Sequence, residues 1–458
     1  MQLKKSLWHA ISRPVSVAPL ATFRFIFGVA MFISTLRFLW MGWVYDHYIA
    51  PKLHFHYFGF EWIEPAPAWA LYAIHGLMLL AALGMALGYR YRLSAVLFFL
   101  CFTYTELIDI TYYLNHYYFV SLVSFVMIFL PAHYNYSLDA RLGKVQAVRY
   151  VERWQVGIVR FLLAMVYFYA GVAKINDEWL LHALPLRIWL PAHNDMPLLG
   201  PAFNYPLTAY VFSWAGMLYD TLIPFFLLNR RTRPFAYIVV LFFHGVTGYL
   251  FQIGMFPLIM SASVLVFFSS EWHERLWQRY LPGWQVATQA FRPASFPRLQ
   301  YAFWALFVCF QVLFPWRYLL YPGNLFWNED GFRFSWRVML IEKAGTATFF
   351  VRDRQSGHEW VIDNREFLNT HQEKQMAMQP DLILQFAHYL HDYYEKQGVA
   401  DPIVRAEVYV TLNGRPSSLY FSPDLDLSRL EDSWAPRRWL YPAPPLQEPP
   451  FQGLLNIF

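Results

Sequence analysis

The chain has 458 residues and a formal net charge of +5, with 57% hydrophobic and only 15% charged residues. That balance excludes an ordinary soluble domain, and so small a charge over this length gives no footing for a nucleic-acid partner. Cys101 and Cys309, the only cysteines, cannot build a disulfide framework or a CxxC metal site; both fall in apolar segments and read as buried small hydrophobes.

The first apolar run begins near Ala18, after Lys4, Lys5 and Arg13. It contains Arg24 and Arg37 and has no small-residue cleavage site, so it is expected to remain as a span and not to be removed as a signal peptide. Crossing a hydrocarbon core of ~30 Å takes ~20 apolar residues. Such runs predict nine spans at about 18–44, 69–88, 93–110, 116–132, 155–174, 208–228, 234–251, 254–269 and 299–318.

The connections orient them, because cytoplasmic loops collect Lys and Arg. With the N-terminus cytoplasmic, the inner segments hold Lys4, Lys5 and Arg13; Arg90 and Arg92; Arg141, Lys144, Arg149 and Arg153; Arg230, Arg231 and Arg233; and Arg275, Arg279, Arg292 and Arg298. The outer loops hold only Lys52, Lys174 and Arg187, and are otherwise aromatic and His-bearing, as in HFHYFGFEWIEP at 54–65.

Beyond about 318 the composition becomes that of a soluble domain. GTATFFVRDRQSGHEWVID (345–363) reads as two strands around a polar turn, and VRAEVYVTLNGRPSSLYF (404–421) places Asn413-Gly414 between two more, a hairpin signal. The segment 380–397 has helical apolar spacing, and 441–450 is Pro-rich. The fold expected is therefore a multi-pass α-helical membrane protein of about nine spans, residues 1–318, with a C-terminal extracytoplasmic α+β domain, residues 319–458.

The candidate chemistry lies at the outer boundary. Lys174 closes the fifth span within YFYAGVAKINDEW (167–179), where it is either a lysine snorkelling to the interface or, if buried, an amine whose charged form is disfavoured and which can act as a general base. Asn115 and His116 open the fourth span on the same side, in DITYYLNHYY (109–118), and Asp109 lies at the same level. Polar groups at membrane depth are costly enough that such a cluster is a functional hypothesis. His244 stands in FFHGVTGYLFQIGMFP (242–257) with Gln252 at the outer turn; alone it reads as a satisfied interior histidine. HExxH, GxGxxG, P-loop and GxSxG patterns do not occur, and no metal is expected.

Four ordered stretches give these residues a context: LNHYY (114–118) followed by FLPAHYNYSLDA (129–140); YFYAGVAKINDEWL (167–180); LFQIGMFP (250–257) with His244 upstream; and GFRFSWRVML (331–340). Over about residues 20–425 the chain resembles the vitamin K-dependent γ-glutamyl carboxylase family, whose membrane part is the horizontally transferred transmembrane domain. The resemblance implies a membrane enzyme that couples O2-dependent epoxidation of a reduced vitamin K, phylloquinone or menaquinone hydroquinone, to carboxylation of a protein glutamate with CO2. It implies that Lys174 is the base that deprotonates the hydroquinone and that His116, with Asn115 beside it, assists. Tyr167, His244, Trp336 and Met339 fall at quinone- or substrate-pocket positions. The double lysine usual in animal members is Ala173-Lys174 here, and the basic positions after their SW motif meet Ile341 and Lys343.

The partners implied are a quinone, a glutamate-containing protein or peptide and the lipid bilayer. The location implied is a bacterial inner membrane or, in a eukaryote, the endoplasmic reticulum membrane. Two alternatives stand beside this: a quinone epoxidase that carboxylates no peptide, and a non-catalytic lipid-binding or transport protein. Transport predicts interrupted helices related by an internal repeat, and no repeat is seen.

Overall fold

The computed structural model describes residues 11–446 apart from 198, 252 and 285–297. Lys4, Lys5, Gln252, Arg292 and the last part of the Pro-rich segment lie outside the described residues. Strand β1 (Pro14–Ser16) leads into helices α1 (Ala18–Trp40), α2 (Ala68–Leu87), α3 (Tyr91–Leu107) and α4 (Asn115–Phe129). Strand β2 (Tyr150–Glu152) pairs antiparallel with β1 and is followed by α5 (Arg153–Ala173), α6 (Pro206–Leu228), α7 (Arg233–Phe251), α8 (Phe256–Ser263), α9 (Ser270–Tyr280) and α10 (Arg298–Leu313).

Among the described residues, six helices are long and apolar enough to cross a membrane: α1, α2, α5, α6, α7 and α10 with its 3-10 extension. The other three expected spans are shorter. α3 has 17 residues and α4 has 15, while α8 has 8 and continues as a 3-10 turn over Val264–Phe267. Local chemistry sets the ends. α5 begins where Glu152 and Gln155 form a reciprocal capping box, and α2 stops at Gly88, whose φ of 62° only glycine adopts freely.

Much of the outward surface of α6, α7 and α10 is bare hydrocarbon, with Phe225, Phe235, Phe242 and Leu306 all more than half exposed. A soluble surface would not tolerate such a belt; lipid covers it. Cys309 belongs to this exposed face, contrary to the expectation that it is buried, whereas Cys101 is buried. Arg24 is fully buried in α1, where its Nη2 donates to Tyr136 O at 2.7 Å while Nε and Nη1 have no hydrogen-bond partner among the described residues.

The C-terminal region is a four-stranded antiparallel sheet, in the order β4 (Glu359–Val361), β3 (Lys343–Arg352), β5 (Ile403–Leu412), β6 (Ser418–Leu419). Along β5 every second residue, Val404, Ala406, Val408, Val410 and Leu412, is fully buried, as a half-buried strand requires. Helices α11 (Thr370–Met376) and α12 (Pro380–Lys396) cover that face, with the Phe386 and Phe349 rings 4.9 Å apart. Asn413 and Gly414 turn the hairpin with φ of 49° and 76°.

This region is fastened to the ends of the helices by polar clamps. Asp109 belongs to one of them, its Oδ2 accepting from Gln372 Nε2 at 2.7 Å. Glu178, just beyond α5, takes both terminal nitrogens of Arg415, at 2.8 and 3.1 Å, and Asn413 Nδ2 at 2.6 Å.

Candidate functional site

Lys174 is the C-cap of α5, placed where the apolar helix ends. It does not snorkel. The side chain is only 5% exposed and turns inward, where Nζ donates to Asp220 Oδ2 at 2.9 Å and Ala170 O at 3.1 Å, and approaches Val338 O at 3.5 Å. The indole of Trp179 lies 5.2 Å from Nζ. Asp220 comes from the middle of α6, and Gly171 allows the meeting. A Cβ at position 171 would lie 2.4 Å from the backbone nitrogen of Thr221, so only glycine lets α5 and α6 approach this closely at the pair.

The pair looks into a narrow apolar cleft walled by Phe212, Phe243, Phe251, Phe256 and Met260. Its polar side is small. Tyr167 and His244 face it as a unit, with Tyr167 Oη 2.8 Å from His244 Nε2, while His244 Nδ1 has no hydrogen-bond partner. Aromatic walls with a few convergent polar atoms suit a flat, weakly polar ring system carrying ionisable oxygens.

Asn115 and His116 lie in a second, wider chamber of about 500 Å3 between α1, α4 and α8. The chambers are neighbours, since Ile253, Phe256, Val338 and Met339 line both. Phe256 is the partition: its ring centroid is 5.6 Å from that of His116 and 5.9 Å from that of His244. The candidates are thus grouped as Lys174, Tyr167 and His244 on one side, Asn115 and His116 on the other, with Met339 between.

Trp336 lines neither chamber. It is buried behind the wall, stacked on Tyr118 with centroids 5.0 Å apart. The wall itself is held in unusual backbone: Phe334, Trp336 and Met339 all have φ of 58°, a region that non-glycine residues enter at a cost which surrounding contacts must offset. Asn115 supplies one such contact, its Nδ2 donating to Arg337 O at 3.0 Å.

Asp220 and Arg337 are absent from the sequence-based candidates. The signal for Asp220 is present in the chain, a lone acidic residue inside an apolar helix of 23 residues. Arg337 adjoins the SW motif and carries no comparable signal. Glu178 sits beside the cleft; burial raises its pKa, but its bonds to Arg415 and Asn413 outweigh this and leave it lowered. Among the described residues, the one group with metal-ligand proximity is His391, Asp392 and Glu395 on α12, outside the linings of both chambers.

Compared with known families, residues 12–272 match the HTTM domain, which covers more than half of the chain. Residues 296–445 match the lumenal domain of vitamin K-dependent gamma-carboxylase. No solved structure matches the chain.

Proposed function

We propose, from the premise that this chain belongs to the vitamin K-dependent gamma-glutamyl carboxylase family, that it is a membrane enzyme oxygenating a reduced naphthoquinone and using that reaction to carboxylate a glutamate of a peptide substrate. The observation that carries this reading is the Lys174–Asp220 pair, buried at the outer boundary and facing an aromatic cleft.

The cleft residues fit the quinone. Phe212, Phe243, Phe251 and Met260 would hold its rings and exclude water, and the Tyr167–His244 unit would orient an oxygen. Once bound, the reduced quinone supplies the electrons that O2 consumes and the driving force for removing a glutamate γ-proton. Lys174 Nζ is the atom positioned to take a hydroxyl proton. The Asp220 carboxylate, 2.9 Å from Nζ, would stabilise the cation formed on uptake. Release of that proton toward the outer face resets the amine. His116, across Phe256, is placed to act on the peptide side of the partition.

We further propose nine membrane crossings, the shorter helices tilted or held between longer neighbours, with the N-terminus cytoplasmic and residues 319–458 outside. An impermeant reagent applied to intact cells should then label a cysteine at 360 and spare one at 144; the reverse pattern overturns this orientation. The enzymatic reading is tested by incubating purified protein with a reduced naphthoquinone, a glutamate peptide and labelled bicarbonate. Epoxide and acid-stable label are expected together, epoxide alone identifies the epoxidase alternative, and neither product overturns the assignment.

A further inference from the structure

We infer that Asn413, at the tip of the β5–β6 hairpin, is a positioning residue for the Lys174 base, because its side chain ties together the two segments that flank Nζ. This role deepens the enzymatic reading and rests on it.

In the sequence, Asn413-Gly414 is only a turn signal. Asn tolerates the left-handed backbone found there, with φ of 49°, as do Asp and Gly, and turn residues ordinarily lie in solvent. Asn413 is instead fully buried. Turn geometry explains neither the burial nor the choice of an amide.

The contacts explain both. Asn413 Nδ2 donates to Glu178 Oε2 at 2.6 Å and to Leu340 O at 3.3 Å, while Oδ1 accepts from Glu342 N at 2.8 Å. The backbone adds a further bond, from Asn413 N to Glu342 O at 2.8 Å. One residue thus grips two separate stretches, Glu178 on one side and Leu340 with Glu342 on the other. An amide can donate twice and accept as well. A carboxylate in its place would face Glu178 with like charge, and glycine would leave the two stretches without the side-chain tie.

Both stretches lead to Lys174. Glu178 stands in the turn that follows it, next to Trp179, whose indole lies 5.2 Å from Nζ and whose Nε1 donates to Ser213 O at 2.8 Å. Ser213 lies about two turns before Asp220 on α6, so this contact also holds the helix that carries the counter-charge. The second stretch runs back to Met339, which lines the cleft, and Val338, whose carbonyl is 3.5 Å from Nζ. Arg415 and Asn324 hold Glu178 too, but among the described residues Asn413 alone bonds to both stretches. Letting them part would shift the surroundings of Nζ, and a displacement of ~1 Å at a reacting group can cost ~10²-fold in rate.

The test uses the full-length protein in lipid nanodiscs and two readouts. One is modification of Lys174 by a membrane-permeable amine reagent, followed by mass spectrometry; the other is kcat and KM for epoxidation of a reduced naphthoquinone. Lys174 should be protected in the wild type. Asn413→Gly keeps the turn and removes the side-chain tie, so labelling of Lys174 should quicken several-fold. Its kcat should fall by about 10²-fold with KM within about twofold, because the aromatic walls are untouched. Asn413→Asp should behave alike, whereas Asn413→Asp with Glu178→Gln, which exchanges donor and acceptor across the 2.6 Å bond, should recover most of both readouts. Thr411→Val, which removes a bond of the same hairpin from Thr411 Oγ1 to Arg415 O, should change neither. Unchanged labelling and kcat in Asn413→Gly, or an equal change in Thr411→Val, overturns the positioning role. If Asn413→Gly does not fold, Asn413→Asp and its double variant decide. Faster labelling in a series whose wild type forms no epoxide keeps the tie and sinks the enzymatic reading; epoxidation with unchanged labelling in every variant does the reverse.

Discussion

Lys174 and Asp220 meet at 2.9 Å across the contact of two apolar helices, each no more than 6% exposed. Neither would be stable alone there, because an isolated charge in a low-dielectric interior is far costlier than a paired one. The pair therefore ties the chemistry of the cleft to the stability of the bundle.

That coupling shapes the first prediction. Lys174→Ala should lower quinone epoxidation by roughly 10² to 10⁴-fold, the usual general-base contribution. It should also destabilise the protein by about 3–5 kcal/mol, since Asp220 is left uncompensated. Removing both, Lys174→Ala with Asp220→Ala, should restore much of the thermal stability and none of the activity. A double variant that recovers epoxidation would show that Lys174 is structural only.

Gly171 should be as sensitive as the pair it serves. Alanine there brings a Cβ to 2.4 Å from the Thr221 nitrogen, and relieving such a clash costs ~1–3 kcal/mol while widening the Lys174–Asp220 distance. Gly157→Ala on the same helix meets nothing within 4 Å and should be neutral or slightly stabilising. Thermal unfolding and epoxidation of the two variants make the comparison, and equal behaviour would exclude close packing as the reason for glycine at 171.

The helix positions and the Asn413-Gly414 hairpin were legible because each is a local pattern: apolar run length in one case, and residues that tolerate positive φ in the other. Partners across space were not. That Asp220 neutralises Lys174 depends on how closely α5 and α6 approach, which no spacing in either helix encodes. Trp336 follows the same logic. Its motif places it near the site, but its φ of 58° turns the indole back onto Tyr118. The division between the Lys174 and His116 chambers depends on where one ring, Phe256, comes to rest.

Acid should loosen the C-terminal region before the bundle. Burial alone would raise the Asp381 carboxyl, but the nearby guanidiniums of Arg333, at 2.5 Å, and Arg437 outweigh it and hold the group down at about 2, against an ordinary 3.8. A depressed folded value means the stabilisation is complete above the ordinary range and is lost as pH falls toward the folded one, an effect of order 2 kcal/mol. Hydrogen exchange in β3 and β5 should therefore speed up between about pH 4 and pH 2. Asp381→Asn should be weaker at neutral pH and show less of this dependence; an unchanged acid profile would remove Asp381 as its source.

Phe256 offers the sharpest test of two chambers joined at one partition. If the cleft handles the quinone and the wider chamber the glutamate, the ring between His116 and His244 controls how tightly the two half-reactions are matched. Phe256→Ala removes the ring and opens one space into the other, admitting water between the reacting groups. Quinone epoxidation should then persist, because Lys174, Asp220, Tyr167 and His244 keep their contacts with one another. Carboxylation should fall, so that epoxide formed per glutamate modified rises several-fold. Phe256→Leu, which refills part of the volume, should give a smaller rise. A ratio unchanged in both variants would mean that the two reactions share a single chamber, and that the separation of His116 from Lys174 has no part in coupling them.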